Sequence, residues 1–264
     1  MKLVTLNIWG GRVLQPLLEL AKSKLGDNDI ICLQEVYSSP RPAIGGVSQC
    51  TNNLEQLRTL LPDHQVVFAP SVRGIFPDQF DGDHVDYGNA VFVRKGLKII
   101  DSTNVFTVKE EGGHFDLTVG DDHPRSMQVV TIGIEDGQEL VVANYHGYWS
   151  NGPKTDDATR FAQSGKVNEI LAEHATKPTI LCGDFNLLPD TESFQMLAKG
   201  RNDLVTRYGL TSTRSKLYKR LDYAPFADYV LTSGGVVDRD FGALPDVVSD
   251  HLGLQLDFEI TQDK

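Results

Sequence analysis

Long apolar runs are missing from this 264-residue chain. None reaches the roughly 18 residues that a membrane-spanning helix needs, and no stable membrane insertion is expected. Cysteine is scarce. Cys32, Cys50 and Cys182 form no Cys-x-x-Cys pair and show no zinc-type spacing. Cys32 and Cys182 lie inside apolar runs and read as small core residues. Runs of lysine and arginine are missing too. With 25 Lys and Arg against 36 Asp and Glu, the formal net charge is −11. A general affinity for a phosphate backbone needs a basic surface, so an anionic ligand would need help from a bound cation or a few placed arginines. Linkers rich in Pro, Gly and Ser are absent, and residues 1–264 read as one domain. The opening stretch, MKLVTLNIWGGR, lacks the long apolar segment and cleavage site of a secretory leader. A reduced, cytoplasmic setting is the expectation.

What is present is a succession of β-branched runs with turn residues at their ends. They cover 2–8, 28–34, 65–69, 89–94, 97–108, 126–134, 138–145, 178–183, 227–232, 236–241 and 252–260. Asp-Gly within IEDGQE (134–139) predicts a hairpin. Helical spacing appears over 12–25, with Pro16 near the first turn, and over 53–61, after Asn52 or Asn53 as cap. It appears again over 156–174, with Phe161, Ala162, Val167, Ile170 and Leu171 on one face. A fourth helix is expected over 190–199, opening at Asp190 and ending at Gly200. The stretches 70–88 and 110–124 read as long irregular loops beside a site. One pattern recurs: LVTLNIWGG, a helix, DIICLQEV; then LVVANYHGYW, a helix, PTILCGDFN. Each is strand, helix, strand, with a polar residue closing both strands. Two similar half-structures whose strand ends converge would place chemistry at those ends.

The stretch LCGDFN (181–186) shows the pattern at its sharpest. Asp184 ends an apolar run, Gly183 before it allows close approach by another group, and Asn186 follows two positions on. Glu35 closes IICLQE, Asn7 closes VTLN, and His146 follows VVAN. Asp228 sits in FADYVLTS, and Asp250 and His251 stand together in VSDHLGL. Each alone reads equally as a cap or a satisfied core residue; together they form a candidate site. Glu35, Asp250 and Asn7 offer hard oxygen ligands, which suit Mg²⁺ or Mn²⁺. Asp184 is placed to orient or deprotonate a water. His251 is suited to donate to a phosphoryl oxygen, Asp228 to hold that imidazole, and Asn186 to meet developing negative charge. Arg125 reads equally as a bidentate phosphate ligand and as a surface arginine. Arg160, Gln163 and Lys166 read as a solvated helix face, and Tyr148 and Trp149 as either a stacking platform or packing.

The ordered set TLNIWGG, LQEV, YGNAVFV, NYH, GDFN, ADYVL and SDH resembles the endonuclease/exonuclease/phosphatase superfamily, over residues 5 to 251. The resemblance implies an α/β four-layer sandwich, two packed mixed β-sheets flanked by helices. It implies Mg²⁺-dependent attack of water on a phosphoester, with Mn²⁺ able to substitute. By motif, Glu35 resembles the principal metal ligand, with Asn7 beside it and Asp250 a second metal-side carboxylate. Asp184 resembles the water-activating residue with Asn186 its partner, Asp228 and His251 the coupled pair, and His146 a phosphate contact. Asn89 of YGNAVFV, Arg125 and Trp149 fall on the substrate side. The expected partner is a phosphoester, including a nucleic acid or nucleotide, and the leading reaction is phosphodiester hydrolysis of nuclease type. The alternatives are a phosphomonoesterase, a sphingomyelinase-like headgroup hydrolase, a non-catalytic module of the same fold, and a metal-free hydrolase using Glu35 and Asp184 as a carboxylate pair.

Overall fold

The computed structural model describes residues 1–42, 50–75, 84–110, 124–134, 137–150, 152–219 and 224–261. In chain order the strands are β1 (Lys2–Asn7), β2 (Ile30–Ser38), β3 (His64–Ile75), β4 (Val85–Arg94), β5 (Lys98–Val108) and β6 (Arg125–Gly133). There follow β7 (Glu139–His146), β8 (Thr179–Asp184), β9 (Asn202–Asp203), β10 (Asp228–Ser233), β11 (Val236–Ala243) and β12 (Leu254–Ile260). The α-helices are α1 (Leu14–Ser23), α2 (Asn53–Leu60), α3 (Ala158–Ala172), α4 (Glu192–Ala198) and α5 (Leu204–Arg207).

The strands form two six-stranded mixed sheets, ordered β11-β12-β1-β2-β4-β3 and β5-β6-β7-β8-β10-β9. The recurring sequence pattern has a structural counterpart. At the centre of the first sheet β1 and β2 run parallel, joined through α1. At the centre of the second, β7 and β8 run parallel, joined through α3. Antiparallel neighbours flank each pair. Parallel strands covered on both faces are apolar almost throughout, and β1, β2, β7 and β8 are buried along nearly their whole length.

Alternation along β1 divides the core. Leu3 points between the sheets with Ile30, Cys32, Val91, Met127, Val141 and Leu181. Val4 and Leu6 point outward to Leu17 and Leu20 of α1 and to Leu54 and Leu57 of α2. On the far side Val167 and Leu171 of α3 and Phe194 and Leu197 of α4 pack on the second sheet. Helices, sheet, sheet and helices make the expected four layers. Among the described residues no helix is long and apolar enough to cross a membrane.

Several local expectations change. The stretch 70–88 is not one irregular loop: β3 continues to Ile75 and β4 begins at Val85, with bulges at Pro70/Val72 and Val72/Ile75 carrying the pair past Pro70 and Gly74. Its acidic centre, residues 76–83, lies outside the described residues, as do 111–123 and Asp136 of the expected hairpin turn. Helix α4 is capped by Thr191, whose side chain accepts from the Phe194 N–H, and not by Asp190. Helix α2 has no side-chain cap; the Asn53 oxygen turns away to accept from the Tyr37 N–H at 3.0 Å. On α3 Ala162 is exposed and Phe161 half-buried, while Arg160, Gln163 and Ser164 are buried. The polar side chains face inward because they have work there: Arg160 pairs with Asp157, and Gln163 donates to Thr107 Oγ1 at 2.8 Å and accepts from the Tyr148 N–H at 2.8 Å. Lys166 alone of that trio is solvated.

Candidate active site

Strand register assembles the first half of the site. At the ends of the second sheet's central strands, Asp184 is the cross-strand neighbour of His146 on one side and of Asp228 on the other. Three polar side chains thus close three adjacent apolar strands in one row. Gly183 makes the row possible: its φ is +131°, and a Cβ there would sit 2.1 Å from the Tyr145 carbonyl oxygen. Past the strand, Asn186 turns back with φ +54°, and its N–H donates to Asp184 Oδ1 at 3.0 Å.

The first sheet supplies the opposing half. Glu35 sits where the β2–β4 register shifts between Leu33 and Val36, in the left-handed region at φ +59°. A bulge of this kind re-aims a side chain off the sheet. Asn7, at the end of β1, donates through one Nδ2 to Glu35 Oε1 at 3.0 Å and to Asp184 Oδ2 at 3.0 Å. Its oxygen accepts from the Trp9 N–H at 2.9 Å, which fixes the amide with its NH₂ toward the carboxylates. Asn7 was expected to offer an oxygen to a metal; in this arrangement it is instead the donor that holds two carboxylates together.

Two further segments complete the floor. Asp228 carboxylate oxygens accept from His251 Nδ1 at 2.8 and 2.9 Å. That bond fixes the ring and leaves Nε2 facing Asp184 Oδ2 at 3.6 Å and Asp250 Oδ1 at 3.8 Å. Arg214, bridged to His251 through the backbone, brings NH1 against Nε2 and within 3.8 Å of Asp250 Oδ2. Thr213 Oγ1 accepts from the N–H groups of Ala227 and Asp228 and anchors the loop to β10. His146 Nε2 lies 4.0 Å from Glu35 Oε1 and 3.9 Å from Asp184 Oδ2, with Arg125 NH1 2.7 Å from the same nitrogen. Glu35, His146, Asp184, Asn186, Asp250 and His251 all line one cleft of about 510 Å³. Its walls are aromatic: Trp9, Tyr37, Tyr87, Trp149 and Tyr218. Trp9 and Trp149 are the chain's two tryptophans.

The electrostatics follow from this crowding. Burial alone would raise the Asp184 carboxyl, but His251, Lys154, His146 and Arg214 outweigh it and hold it well below the usual range. Burial raises Glu35, whose carboxylate is about a quarter exposed at the cleft, and Asp250 adds to the rise. Burial also raises Asp228 against the pull of His251. For His251, burial and the Arg214 guanidinium oppose the charged ring, while Asp228, Asp250 and Asp184 prevail and push it up. Glu35 and Asp228 are both raised chiefly by burial, so their carboxylates are poorly solvated, and a divalent cation would offset that loss of water. Two groupings fit one. Ligand atoms of Asp184, Asp228 and His251 lie within 4.8 Å of one another. Glu35 and Asp184, joined through Asn7, present hard oxygens to the cleft with Asp250 beside them. The second grouping suits Mg²⁺ better, since its donors are oxygens, whereas in the first the His251 Nδ1 is committed to Asp228 and its Nε2 meets Arg214.

Of the residues singled out in the sequence, Asn89 stands apart. It is fully buried between the sheets, donating toward the Ser126 and Asn144 carbonyls at 3.3 Å, and is not among the cleft-lining residues. Arg125 is not a surface arginine: it is buried at 5 % exposure and faces the cleft. Trp149 is on the cleft wall. Arg214, Thr213 and Lys154 were missed. Each lies among other polar residues in an irregular segment, Thr213 and Arg214 in the run TSTRS (211–215), where nothing in the sequence separates a buried polar side chain from a solvated one. Gln34 and Asn144, whose side chains join across the sheets at 2.6 Å beneath the site, were missed too.

The sequence pattern of the Endonuclease/Exonuclease/phosphatase family, whose members are phosphoester hydrolases, matches residues 4–251. No curated protein matches the sequence. Among solved structures, the chain is similar to a mannosyl-6-phosphatase of Bacteroides thetaiotaomicron, at 18% identity and TM-score 0.71 over 98% of this chain and 100% of that one. It is similar to the human Nocturnin catalytic domain with bound sulfate, at 20% identity and TM-score 0.68 over 99% and 94%. It is similar also to truncated Caenorhabditis elegans TDP2, at 20% identity and TM-score 0.68 over 97% and 96%. At these identities the likeness is one of fold.

Proposed function

This chain belongs to the Endonuclease/Exonuclease/phosphatase family, and from that premise we propose that it is a divalent-metal-dependent phosphodiesterase. The observation that carries the reading is the meeting of the two sheets at Asn7, whose one NH₂ bonds both Glu35 and Asp184 at 3.0 Å on the wall of the cleft. Glu35 and Asp250 would hold Mg²⁺ or Mn²⁺, with Asn7 beside it. Such an ion, when bound, stabilises the charge that develops on phosphoryl oxygens.

The protein's own groups do the rest. Asp184, ionised throughout the neutral range, orients the attacking water by a charged hydrogen bond. His251 meets a phosphoryl oxygen through Nε2, and Asp228 at Nδ1 holds the ring and supports its positive charge. Asn186 and Arg214 add donors on the same oxygens, and Arg125 carries His146 toward the phosphate. The aromatic wall at Trp9 and Trp149 receives the part of the substrate that does not react, a nucleotide ring in the reading we favour.

The test is a substrate panel with Mg²⁺: bis-p-nitrophenyl phosphate, a phosphomonoester, single- and double-stranded DNA, RNA and sphingomyelin. Diester turnover that vanishes in EDTA and returns with Mg²⁺ or Mn²⁺ is expected. Activity surviving full chelation would replace this reading with a metal-free carboxylate pair, and turnover confined to the monoester would make the chain a phosphatase.

A further inference from the structure

Lys154 is a buried amine that does not itself line the cleft. It lies in the connection between β7 and α3, a segment pinned just beyond it by Asp156 and Asp157. Asp156 accepts from the Glu192 and Ser193 N–H groups at the start of α4, at 2.8 and 2.9 Å, and Asp157 caps α3 through the Arg160 N–H at 2.8 Å. Between these anchors and the cleft, Lys154 is left 6 % exposed. An apolar side chain would fill such a place at less cost, because a buried ammonium must give up its water.

Its ammonium donates to Asn186 Oδ1 at 2.9 Å, and among the described residues it makes no other hydrogen bond or ion pair. An asparagine amide is nearly symmetric in shape, and a flip exchanges donor for acceptor. The Asn186 main chain is already fixed, at φ +54° and by its N–H to Asp184 Oδ1, so the flip is the freedom that remains. A lysine ammonium carries donors and no acceptor. Against it the flipped amide would set NH₂ against NH₃⁺. The orientation seen turns Nδ2 toward the Gly147 carbonyl at 3.4 Å, a long and weak contact that leaves the NH₂ free to take a better acceptor, and Asn186 is one of the cleft-lining residues.

We propose that Lys154 is a positioning residue for the phosphoesterase reaction: its ammonium locks the Asn186 amide with oxygen inward, so that a phosphoryl oxygen always meets the NH₂. The inference rests on the phosphodiesterase reading of the same cleft. Burial and the nearby Arg214 pull its pKa down to about 7 against the pull of Asp184 and Asp228, so the locking ammonium is the form present below about that pH.

The test compares wild type, Lys154→Met, Asn186→Ala and the double variant on bis-p-nitrophenyl phosphate with Mg²⁺. Lys154→Met is expected to lower kcat roughly tenfold to a hundredfold with little change in KM, at a Tm equal to or above that of wild type. The double variant is expected to be no slower than Asn186→Ala, because the lock acts only through that amide. If Lys154→Met does not fold, Lys154→Gln serves in its place, since a glutamine amide accepts as readily as it donates and gives no lock. A variant within twofold of wild-type kcat, or losses that multiply in the double variant, would overturn the inference while leaving the phosphodiesterase reading intact. A second measurement needs no turnover at all. The Asn186 side-chain amide signals, identified in ¹⁵N-correlated NMR spectra by their loss in Asn186→Ala, are expected to be sharp in wild type and shifted or exchange-broadened in Lys154→Met. An unchanged pair of signals would refute the lock even if wild type proved inactive on every phosphoester.

Discussion

Asp184 accepts from Asn7 and from the Asn186 main chain and stands near His251, His146 and Lys154, so its negative charge is held by the fold itself. A carboxylate whose folded pKa lies below the unfolded value of about 3.9 contributes stability above that pH and loses it as the pH falls. In EDTA, wild type is therefore expected to lose more stability between about pH 4 and pH 2 than Asp184→Asn does, as read by urea midpoints across that range. With Mg²⁺ at neutral pH the same substitution is expected to lower kcat by about 10² to 10⁴-fold with the fold intact. Lys154 gives a slope of the same sign in a higher pH window. Its folded pKa of about 7 lies below the ordinary lysine value, so the unfolded chain binds the extra proton between the two. Wild-type stability is expected to rise relative to Lys154→Met as the pH climbs from about 7 to about 10, and equal slopes in that window would contradict the burial of the amine. At this scale the sequence was informative where a charged residue ended an apolar run, as at Glu35 and Asp184. It was silent at Lys154, Arg214 and Asn144, because a polar residue in an irregular segment or mid-strand reads the same whether it faces solvent or a neighbouring sheet.

At the scale of the element, conformational strain gathers at the cleft. Among the described residues the non-glycine positions with positive φ are Trp9, Glu35, Lys109 and Asn186, and all but Lys109 line the cleft. Left-handed backbone at such residues costs about 1–3 kcal/mol each and persists only where the surroundings dictate it. Gly183 shows how tightly they do. Gly183→Ala is expected to lower stability by about 2–4 kcal/mol, measured as a fall in Tm, since the new Cβ meets the Tyr145 carbonyl in a conformation alanine avoids. A stability loss below about 0.5 kcal/mol would show that β7 and β8 can separate there at little cost. The elements themselves were legible because strands buried on both faces spell out continuous apolar runs, and α1, α3 and α4 carry caps or leucine spacing. The overlooked pieces, β9 with α5, are two and four residues long, too short for periodicity to register. The extension of β3 to Ile75 was hidden by Pro70 and Gly74, which punctuate most chains but here sit at bulges.

For the whole molecule, the site exists only where the sheets meet. Asn7 and Glu35 come from one, His146, Asp184 and Asp228 from the other, and His251 from the segment entering β12. A cation bound between them ties the halves together and stabilises the folded state by mass action, about 2.7 kcal/mol at a hundred times its Kd. Mn²⁺ is expected to raise Tm in wild type and to raise it much less in Glu35→Gln. An equal shift in both would place the ion elsewhere. The −11 charge bears on partners at this scale as well. Acidic side chains outnumber basic ones and no run of Lys or Arg is present to displace counterions, so any nuclease activity should depend only shallowly on salt, with a log–log slope of KM far from the steep values of basic nucleases.

The placing of Trp9 and Trp149 on opposite stretches of chain but one cleft has a practical corollary. Every indole in this protein looks into the place where chemistry is expected. Tryptophan emission, excited apart from tyrosine, is therefore a built-in optical gauge of what enters, requiring no dye.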